Sequence, residues 1–295
     1  MKRVLITGVN SYIGNSQKKW LEQQPDSYLV KTISLKDPNW IEHDFSQYDV
    51  IFHVAGKAHS DVGHVSDEVK ALYYKVNKDL TLEVANKAKE AGVKQFIYMS
   101  SIIVYGNSNP ISKEKVITRD TIPLPANFYG DSKLQAEIVI SKLSSNDFKI
   151  AIIRPPMIYG KDSKGNYPLL SKISRKLSVF PKVENKRSMI HIDNLAEFIR
   201  LLIDNEEAGL FFPQNAEHVS TSKMVQLIAQ YHGKQMKLTK LLNLPLIIAG
   251  LFPGKIGGLV NKAFGNLAYD QSLSVYDKGN YRIRTFEESI KRTEG

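Results

Sequence analysis

The sequence predicts an α/β fold in which helices cover both faces of a parallel sheet. Short runs rich in β-branched residues alternate with longer runs of helical periodicity, which is typical of repeated strand–helix–strand units. The first of these strands is followed at once by a glycine-containing turn and a helix. Beyond residue 154 the alternation loosens, which indicates a second, smaller domain.

The predicted elements follow one another along the first 154 residues. Five strands are predicted, at residues 3–7, 29–34, 50–54, 95–100 and 149–154. A crossover helix is predicted at 69–92, where apolar residues recur at helical spacing and a glycine ends the run. A second helix, at 130–143, is expected to turn Leu134, Ile138 and Leu143 toward the core.

The domain boundary is predicted from the change of pattern after these elements. Proline or glycine stands at positions 155, 156, 160, 165 and 168. We therefore place the boundary near residue 160, which gives a sheet domain at 1–160 and a smaller domain at 161–295. A strand-like segment near 187–192 is expected to return to the sheet, so the second domain need not be continuous.

Composition excludes several classes of protein. The 295 residues are 42% hydrophobic and 24% charged, which is typical of a globular chain and not of a disordered one. The absence of cysteine excludes a disulfide framework, a thiolate metal site and a cysteine nucleophile, so redox chemistry needs a cofactor. The seven histidines show no zinc-type spacing, and no metal is predicted. His59, Asp61 and His64 are expected to form a polar loop near the cofactor.

Charge and hydropathy indicate the kind of ligand. Forty Lys and Arg against thirty Asp and Glu give a net charge of +10, which favours anionic ligands. The charges are dispersed, so small phosphorylated ligands are favoured over nucleic acid. The apolar start is too short for a secretory signal, which predicts a cytoplasmic protein. Pro, Gly and Lys interrupt the apolar segment 244–264, which predicts no membrane span; packing is favoured there, and contact with a membrane surface stays open.

The run T-G-V-N-S-Y-I-G at residues 7–14 predicts a phosphate-binding turn. It follows the first strand directly and opens a helix, so a dinucleotide diphosphate would meet helix N–H groups. Ser11 stands where a third glycine is usual; its hydroxyl can donate to phosphate, while its Cβ restricts approach. The alternative is an ordinary strand–helix turn. The predicted cofactor-binding residues here are Gly8, Asn10, Ser11, Tyr12, Ile13 and Gly14.

The end of the second strand bears on the choice of cofactor. An acidic residue there normally accepts hydrogen bonds from the adenosine ribose of NAD(H). Here Ser34 and Lys36 could instead hold a 2′-phosphate, and Asp37 reaches the ribose only if the loop curls back. The sequence therefore slightly favours NADP(H) over NAD(H), with a solvated turn as the alternative.

A tyrosine and a lysine one helical turn apart supply candidate acid–base chemistry. Tyr129 and Lys133 share one face of the second predicted helix. A neighbouring ammonium and an oxidised nicotinamide would stabilise the phenolate of a residue whose ordinary pKa is about 10. Ser101, at the end of the fourth strand, could donate to the same substrate oxygen. The alternative is a half-buried aromatic residue beside a surface base.

Taken together, these motifs resemble the extended short-chain dehydrogenases/reductases of the NAD-dependent epimerase/dehydratase type, the branch that contains UDP-galactose 4-epimerase. The motifs that carry the resemblance are S-S-I-I-V-Y-G at 100–106, Y-x-x-x-K at 129–133, H-V-A-G at 53–56, R-P-P-M-I-Y-G at 154–160 and R-S-M-I-H-I-D at 187–193. They occur in the family's order along nearly the whole chain, with weak correspondence at 241–266.

The resemblance implies a Rossmann-type doubly wound sheet at 1–160 and a C-terminal substrate-binding domain at 161–295. The further cofactor contacts that it implies are Asp44, Phe45, Val54, Ala55, Gly56, Asn77, Tyr129, Lys133 and Pro156. The substrate contacts that it implies are Ser101, Asn166, Tyr167 and Arg187, the last as a diphosphate anchor. A homodimer through the helices at 69–91 and 130–143 is a further implication.

The family chemistry leaves the reaction open. The resemblance implies hydride transfer at C4 of a nucleotide sugar, with UDP favoured, in the synthesis of surface-polysaccharide precursors. A 4,6-dehydratase is disfavoured because Ile102 and Ile103 stand where such enzymes carry an acid and a base. An NADPH-dependent 4-keto-sugar reductase is slightly favoured over a 4-epimerase with retained NAD. A regulator that binds a dinucleotide without catalysis is the alternative of another class.

Overall fold

The computed structural model describes residues 1–57, 65–252 and 254–295. The described residues form twelve strands: β1 (Lys2–Thr7), β2 (Tyr28–Ile33), β3 (Val50–His53), β4 (Gln95–Met99), β5 (Val116–Ile117), β6 (Lys149–Ile153), β7 (Met157–Tyr159), β8 (Val179–Pro181), β9 (Met189–His191), β10 (Gly209–Phe211), β11 (Lys237–Thr239) and β12 (Ala268–Tyr269). Ten α-helices are described: α1 (Tyr12–Leu21), α2 (Asp67–Tyr74), α3 (Leu80–Glu90), α4 (Phe128–Ser141), α5 (Asn166–Lys176), α6 (Ile192–Asp204), α7 (Thr221–Tyr231), α8 (Asn243–Leu251), α9 (Lys255–Phe264) and α10 (Phe286–Glu294).

Six parallel strands form the main sheet, in the order β10-β6-β4-β3-β1-β2. The five strands predicted from sequence are all present, each within a residue of its expected bounds. The chain runs from β1 to β2 on one side and continues through β3 on the other, so the strand order reverses between β1 and β3. A crevice opens at the carboxyl ends of strands at such a reversal, and ligands bind there in open α/β sheets.

Helices cover both faces of this sheet, which confirms the doubly wound fold. On one face, α6 lays Leu195, Ile199 and Leu202 against β1, β3 and β4. On the other face, α3 and α4 pack residues such as Val84 and Ile140 against the same strands. These strands are buried on both sides, which explains why their sequences read as continuous apolar runs rather than as alternating ones.

Three features of the helices differ from the sequence prediction. The predicted helix at 69–92 is α2 and α3 joined by a π-helical turn at Lys75–Asp79. The second predicted helix, α4, begins at Phe128, two residues earlier than expected. Within α4, Ile138 is exposed, because the buried face of the helix passes through positions such as Lys133 and Glu137 instead.

The smaller part of the fold packs beside the main sheet and its helices, and we call it the second layer. It has its own core, built from α5, α7, α10 and the small sheets. The prediction that the segment near 187–192 returns to the main sheet is wrong: β9 pairs with β7, and His191 then caps the start of α6. The strand that does return is β10, which pairs with β6. Thus α6 and β10 complete the main layer from beyond residue 160, and the boundary at that residue stays a prediction.

Two apolar helices, α8 and α9, lie at the outside of the second layer. Phe264 at the end of α9 stacks on Phe180 at 5.6 Å between ring centroids, and Leu246 and Val260 face the same core. Packing, which the sequence favoured for this segment, therefore accounts for one side of the pair. Within the described part of the chain, no helix has both the length and the apolar character that crossing a bilayer would require.

Candidate functional site

The candidate site lies at the carboxyl ends of β1, β3 and β4, which are adjacent in the sheet. Each strand is followed by a predicted motif: Gly8 after β1, the residues from Val54 after β3, and Ser101 after β4. The parallel arrangement therefore brings together three motifs that are far apart in sequence, because parallel strands present their carboxyl ends at one edge.

The turn after β1 has the geometry of a phosphate cradle. Gly8 has a φ of +92°, and a Cβ at this position would lie 3.1 Å from the backbone of Ala55. A Cβ on Gly14 would lie 3.0 Å from Val54, so α1 approaches the sheet closely. Both glycines are needed for conformation and contact, and the resulting turn directs the first N–H groups of α1 into the crevice. This cradle fits a dinucleotide diphosphate.

Other predicted residues of this turn have definite places. Ser11 caps α1, and its Oγ accepts from the Gly14 N–H at 3.2 Å, which leaves the hydroxyl hydrogen for an acceptor such as phosphate. Asn10 is exposed, and Ile13 packs on the core beside β1. The Tyr12 hydroxyl lies beside Gly160, and burial raises the pKa of Tyr12.

A buried relay fixes the segment that follows β3. Thr81 Oγ1 donates to the Asn77 carbonyl at 2.7 Å, so it accepts from His53 Nε2 at 3.0 Å. His53 Nδ1 must then accept from Thr7 Oγ1, also at 3.0 Å, and Thr7 Oγ1 accepts from the N–H groups of Val54 and Ala55. Burial lowers the pKa of His53 to about 3, which keeps the ring neutral and this tautomer in place.

Asn77 joins this segment to the helix that carries the predicted acid–base pair. Its Oδ1 accepts from the Lys57 N–H at 2.7 Å, and its Nδ2 donates to the Lys57 carbonyl and to Ser132 Oγ at 3.1 and 3.0 Å. The π-helical turn places Asn77 here, and such turns are frequent at functional sites. Because its amide is committed within the protein, Asn77 holds these segments together; its direct contact with cofactor stays a prediction.

Helix α4 presents Tyr129 and Lys133 to the ends of β3 and β4. Lys133 Nζ donates to the Met99 carbonyl at 2.9 Å and lies 4.8 Å from the centre of the Tyr98 ring. It is also 3.3 Å from where a Cβ on Gly56 would be, so the glycine admits the ammonium. Lys133 therefore lies at the strand ends that border the crevice. Tyr129 is buried one turn earlier on the same helix, and its ring meets Tyr73 edge-on at 6.1 Å between ring centroids.

Burial sets the proton affinities of this pair. It raises the pKa of Tyr129 to about 12, with a smaller contribution from Tyr73, and lowers the pKa of Lys133 to about 8, against the opposing effect of Glu137. At neutral pH the phenol is therefore protonated beside a charged ammonium. In this state Tyr129 is a proton donor, and becoming a base requires a further positive charge nearby.

Ser101 is held next to the start of α4. Its Oγ caps the short helix Ile102–Tyr105 by accepting from the Ile103 N–H at 3.3 Å. A Cβ on Gly130 would lie 2.8 Å from the Ile103 carbonyl oxygen, so the glycine after Tyr129 permits this approach. The structure thereby brings the Ser101 turn against the end of α4 that carries Tyr129.

A buried ion pair that the sequence reasoning missed lies beneath these residues. Arg154 Nε donates to both carboxylate oxygens of Glu137 at 3.1 Å, and its Nη1 donates to Tyr105 at 2.6 Å. Ser100 Oγ donates to the same carboxylate. Glu137 follows Lys133 by one turn on the buried face of α4, and a charge on that face is the signal that could have found it.

Three predicted cofactor residues offer less to a ligand. The ring of Phe45 is 1% exposed and packs on Trp40, so a contact with adenine would involve its backbone. The Asp44 carboxylate is exposed, and it accepts from the Ser46 N–H and hydroxyl at 2.9 and 2.7 Å. Pro156, three residues after the end of β6, is buried. His59, Asp61 and His64 lie outside the described residues.

The predicted substrate residues are divided between two places. Arg187 and Asn166 line one narrow cavity, together with Leu259 and Lys262 of α9. Burial lowers the pKa of Arg187 to about 10, and its Nη1 donates to the Lys262 carbonyl at 2.9 Å. Tyr167 is a packing residue instead.

Tyr167 is turned into the core of the second layer. Its ring stacks on Tyr159 at 5.6 Å, and its hydroxyl donates to Glu294 Oε1 at 2.8 Å. Both its apolar surface and its donor are thus used inside the protein. Its contact with substrate therefore has no support in this geometry and stays a prediction.

Comparison with known proteins agrees with this fold. The chain matches the NAD dependent epimerase/dehydratase family over residues 4–211. It is 31% identical to a UDP-glucose 4-epimerase of Vibrio cholerae, over 99% of this chain and 94% of that one. It is 28% identical to an N-acetyl-α-D-glucosaminyl-diphospho-ditrans,octacis-undecaprenol 4-epimerase of Escherichia coli O157:H7, over 89% and 81% of the two chains. The structure is similar to a UDP-glucuronic acid 4-epimerase from Bacillus cereus in complex with NAD, with a TM-score of 0.72, 16% identity and coverage of 98% and 96%.

Proposed function

Because the chain belongs to the NAD dependent epimerase/dehydratase family, we propose that it is an NAD(P)-dependent oxidoreductase that reduces the C4 ketone of a nucleotide sugar, with UDP as the favoured nucleotide. The observation that carries the proposal is the pair of Tyr129 and Lys133 on α4. Because burial raises the pKa of Tyr129 to about 12, this phenol carries the proton that reduction of a ketone requires.

Each residue of the trio has a role in this reaction. The bound dinucleotide supplies the hydride that C4 receives. Tyr129 donates its proton to the ketone oxygen, which becomes the C4 hydroxyl. The ammonium of Lys133 stabilises the phenolate that remains, and the Ser101 hydroxyl donates to the same oxygen while negative charge develops on it. Proton uptake from water then restores Tyr129.

The loop after β2 supports a dissociable NADP(H). Asp37 Oδ1 accepts from the Asn39 N–H at 3.0 Å and caps the short helix that follows, so this oxygen is already used within the loop. Ser34 accepts from the Lys36 N–H, and the Lys36 side chain is exposed at the end of the strand. A positive charge without an acidic ribose acceptor favours a 2′-phosphate. A cofactor that leaves after each turnover fits a reductase.

The groups that a 4,6-dehydratase would need are missing from the expected positions. Ile102 and Ile103 occupy the first two positions of the turn that Ser101 caps. Aliphatic side chains carry no proton to transfer. This supports hydride transfer without elimination of water.

The first experiment measures NADPH oxidation with 4-keto UDP sugars. Tyr129→Phe is expected to lower turnover by about 10²–10⁴-fold with little change in NADPH affinity. Tyr98→Phe is the matched control, since this tyrosine also contacts Lys133 but is fully buried below the crevice, and its turnover should change little. Equal loss of turnover and of NADPH affinity in Tyr129→Phe would contradict the proton-transfer role.

A UDP-sugar 4-epimerase with retained NAD is the second candidate. The full-length similarity to a UDP-glucose 4-epimerase favours it. Interconversion of C4 epimers without net cofactor consumption, together with NAD(H) in the purified protein, would select it. Because another relative is named for a sugar on undecaprenyl diphosphate, the substrate panel should include lipid-linked sugars. Cofactor binding with neither activity would select a regulator.

A homodimer is also proposed, through α2, α3 and α4. Leu72 and Ile138 are large apolar residues exposed on these helices. Pairing of this face with a second copy would bury both side chains. Light scattering of the purified chain and of an Ile138→Glu variant tests this proposal. We expect the wild type to be a dimer and the variant to be a monomer. Equal masses for the two proteins would overturn it.

A further inference from the structure

The pair α8 and α9 carries an unusual density of exposed apolar side chains. We call residues 241–252 and 254–264 the apolar hairpin. Eight of the 23 large hydrophobic residues that are exposed in the described part of the chain belong to it, each 40–86% exposed. They are Leu241, Leu242, Leu244, Ile248, Leu251, Phe252, Ile256 and Leu259. Exposed apolar side chains concentrated in one segment in this way mark an interaction site.

Specific contacts hold the two helices of the apolar hairpin together. Asn261 Nδ2 donates to the Gly250 carbonyl at 2.9 Å and thereby ties the two helices together. A Cβ on Gly250 would lie 3.3 Å from Val260, so the glycine permits their close approach. One side of the pair is fastened to the second layer through Phe264. The outward side is therefore held in place, and its exposure does not result from loose packing.

Charge identifies the partner. Residues 218–269 contain six lysines and no aspartate or glutamate. Lys237, Lys240 and Lys262 are exposed, and none of the three forms an ion pair with a described carboxylate. Lys240 lies next to the start of α8, and Lys262 is in the last turn of α9. Apolar residues beside unpaired lysines are what an anionic bilayer surface attracts.

A second copy of the chain fits this face poorly. In a two-fold symmetric contact the same patch faces itself, so the lysines of one copy would meet the lysines of the other. The acid-free stretch supplies no carboxylate to compensate them. Anionic lipid headgroups supply that charge, and the acyl region just below them accepts leucine, isoleucine and phenylalanine.

We infer that the apolar hairpin docks this protein on the surface of an anionic phospholipid bilayer. The helices would lie in the interface with the outward side buried among the headgroups, without spanning the membrane. Docking would also place the Arg187 cavity next to the bilayer, because Leu259 and Lys262 line it and the Arg187 Nη1 donates to the Lys262 carbonyl. This inference does not depend on the proposed reaction.

Vesicle flotation of the full chain tests the inference. We expect binding to vesicles of phosphatidylcholine mixed with phosphatidylglycerol, and at least about tenfold weaker binding to phosphatidylcholine alone. Added salt should weaken it, since exposed charges are screened. The variant Leu244→Ser/Leu251→Ser/Ile256→Ser should bind at least about tenfold more weakly. Lys237→Glu/Lys240→Glu should lose binding while keeping the apolar side chains.

Two controls make the result decisive. Ile122→Ser/Leu124→Ser removes two equally exposed apolar residues outside the apolar hairpin and should bind as the wild type does. Tyr129→Phe should also bind normally although it is expected to be inactive, which separates this inference from the proposed function. The inference is overturned if folded wild-type protein does not bind anionic vesicles. It is also overturned if the triple serine variant only dissociates a dimer and leaves lipid binding intact.

Discussion

The buried side of α4 and the outward side of the apolar hairpin are opposites in their chemistry. Along α4 the charged groups Lys133 and Glu137 are 7% and 3% exposed, and each has a partner on a neighbouring strand or loop. On the apolar hairpin, leucine and isoleucine face solvent, and the nearby lysines lack carboxylate partners among the described residues.

The difference shows which groups find their partners within the protein and which are left to the solvent. Burial of a charge is costly unless a partner and hydrogen bonds accompany it, so α4 is tied to its surroundings and has one arrangement. Exposure of apolar surface costs the folded protein little relative to its unfolded chain, in which the same surface also meets water. Substitutions on α4 should therefore affect stability strongly, and those on the apolar hairpin should not.

The largest effect is expected at the buried ion pair. Glu137→Ala leaves Arg154 buried without its carboxylate and should lower the free energy of unfolding by about 3–5 kcal/mol. Urea denaturation measures this loss. Glu137→Leu combined with Arg154→Met removes both charges and should cost less than the single substitution. A loss below about 1 kcal/mol in Glu137→Ala would show that the carboxylate contributes little to the folded state.

An intermediate effect is expected from His53 in acid. Burial lowers its pKa from the ordinary 6.5 to about 3, so between these values the unfolded chain binds a proton that the folded chain does not. Stability therefore rises with pH in this range, and it should fall by about 2 kcal/mol from pH 6.5 to pH 5. Denaturation across this range should be less pH-dependent in His53→Gln than in the wild type. If stability depends on pH equally in His53→Gln and in the wild type, the lowered pKa of His53 is refuted. His43→Gln is the control substitution.

The smallest effect is expected on the apolar hairpin, where it is compared with the core by the same substitution. Leu244→Ala should change the free energy of unfolding by no more than about 0.5 kcal/mol, because its side chain is 66% exposed. Leu5→Ala in β1, at 1% exposure, should cost about 2–5 kcal/mol. Thermal and urea denaturation measure both. If the two substitutions cost the same, the outward side of the apolar hairpin is not solvent-exposed.

The sequence predicts the central strands well because each is buried on both faces and reads as an uninterrupted apolar run. Strand β10 escapes prediction because it is three residues long at the edge of the sheet, with Gly209 and Leu210 exposed. The π-helical turn escapes for another reason: its buried residue is the polar Asn77, which adds nothing to the apolar spacing from which the helix is predicted.

The acid–base pair can be predicted because Tyr129 and Lys133 belong to one helix, where spacing fixes a shared face. The pairing of Glu137 with Arg154 joins a helix to the strand end beyond it, and no local pattern connects them. Tyr167 shows the opposite case, since the motif singles it out while packing against Tyr159 and Glu294 takes it inward. Local spacing thus places neighbours on one element, and tertiary packing decides the rest.

The π-helical turn between α2 and α3 has a consequence for how this crossover tolerates change in length. One residue inserted into a helix rotates everything beyond it by about 100°. At Lys75–Asp79 that rotation lets α3 keep its apolar stripe on the sheet while Asn77 reaches Lys57 and Ser132. Deleting a single residue here would restore regular helical winding. Either the apolar stripe of α3 would then leave the sheet or Asn77 would lose its contacts with Lys57 and Ser132. The length of this segment is therefore fixed by the alignment that each of its ends requires.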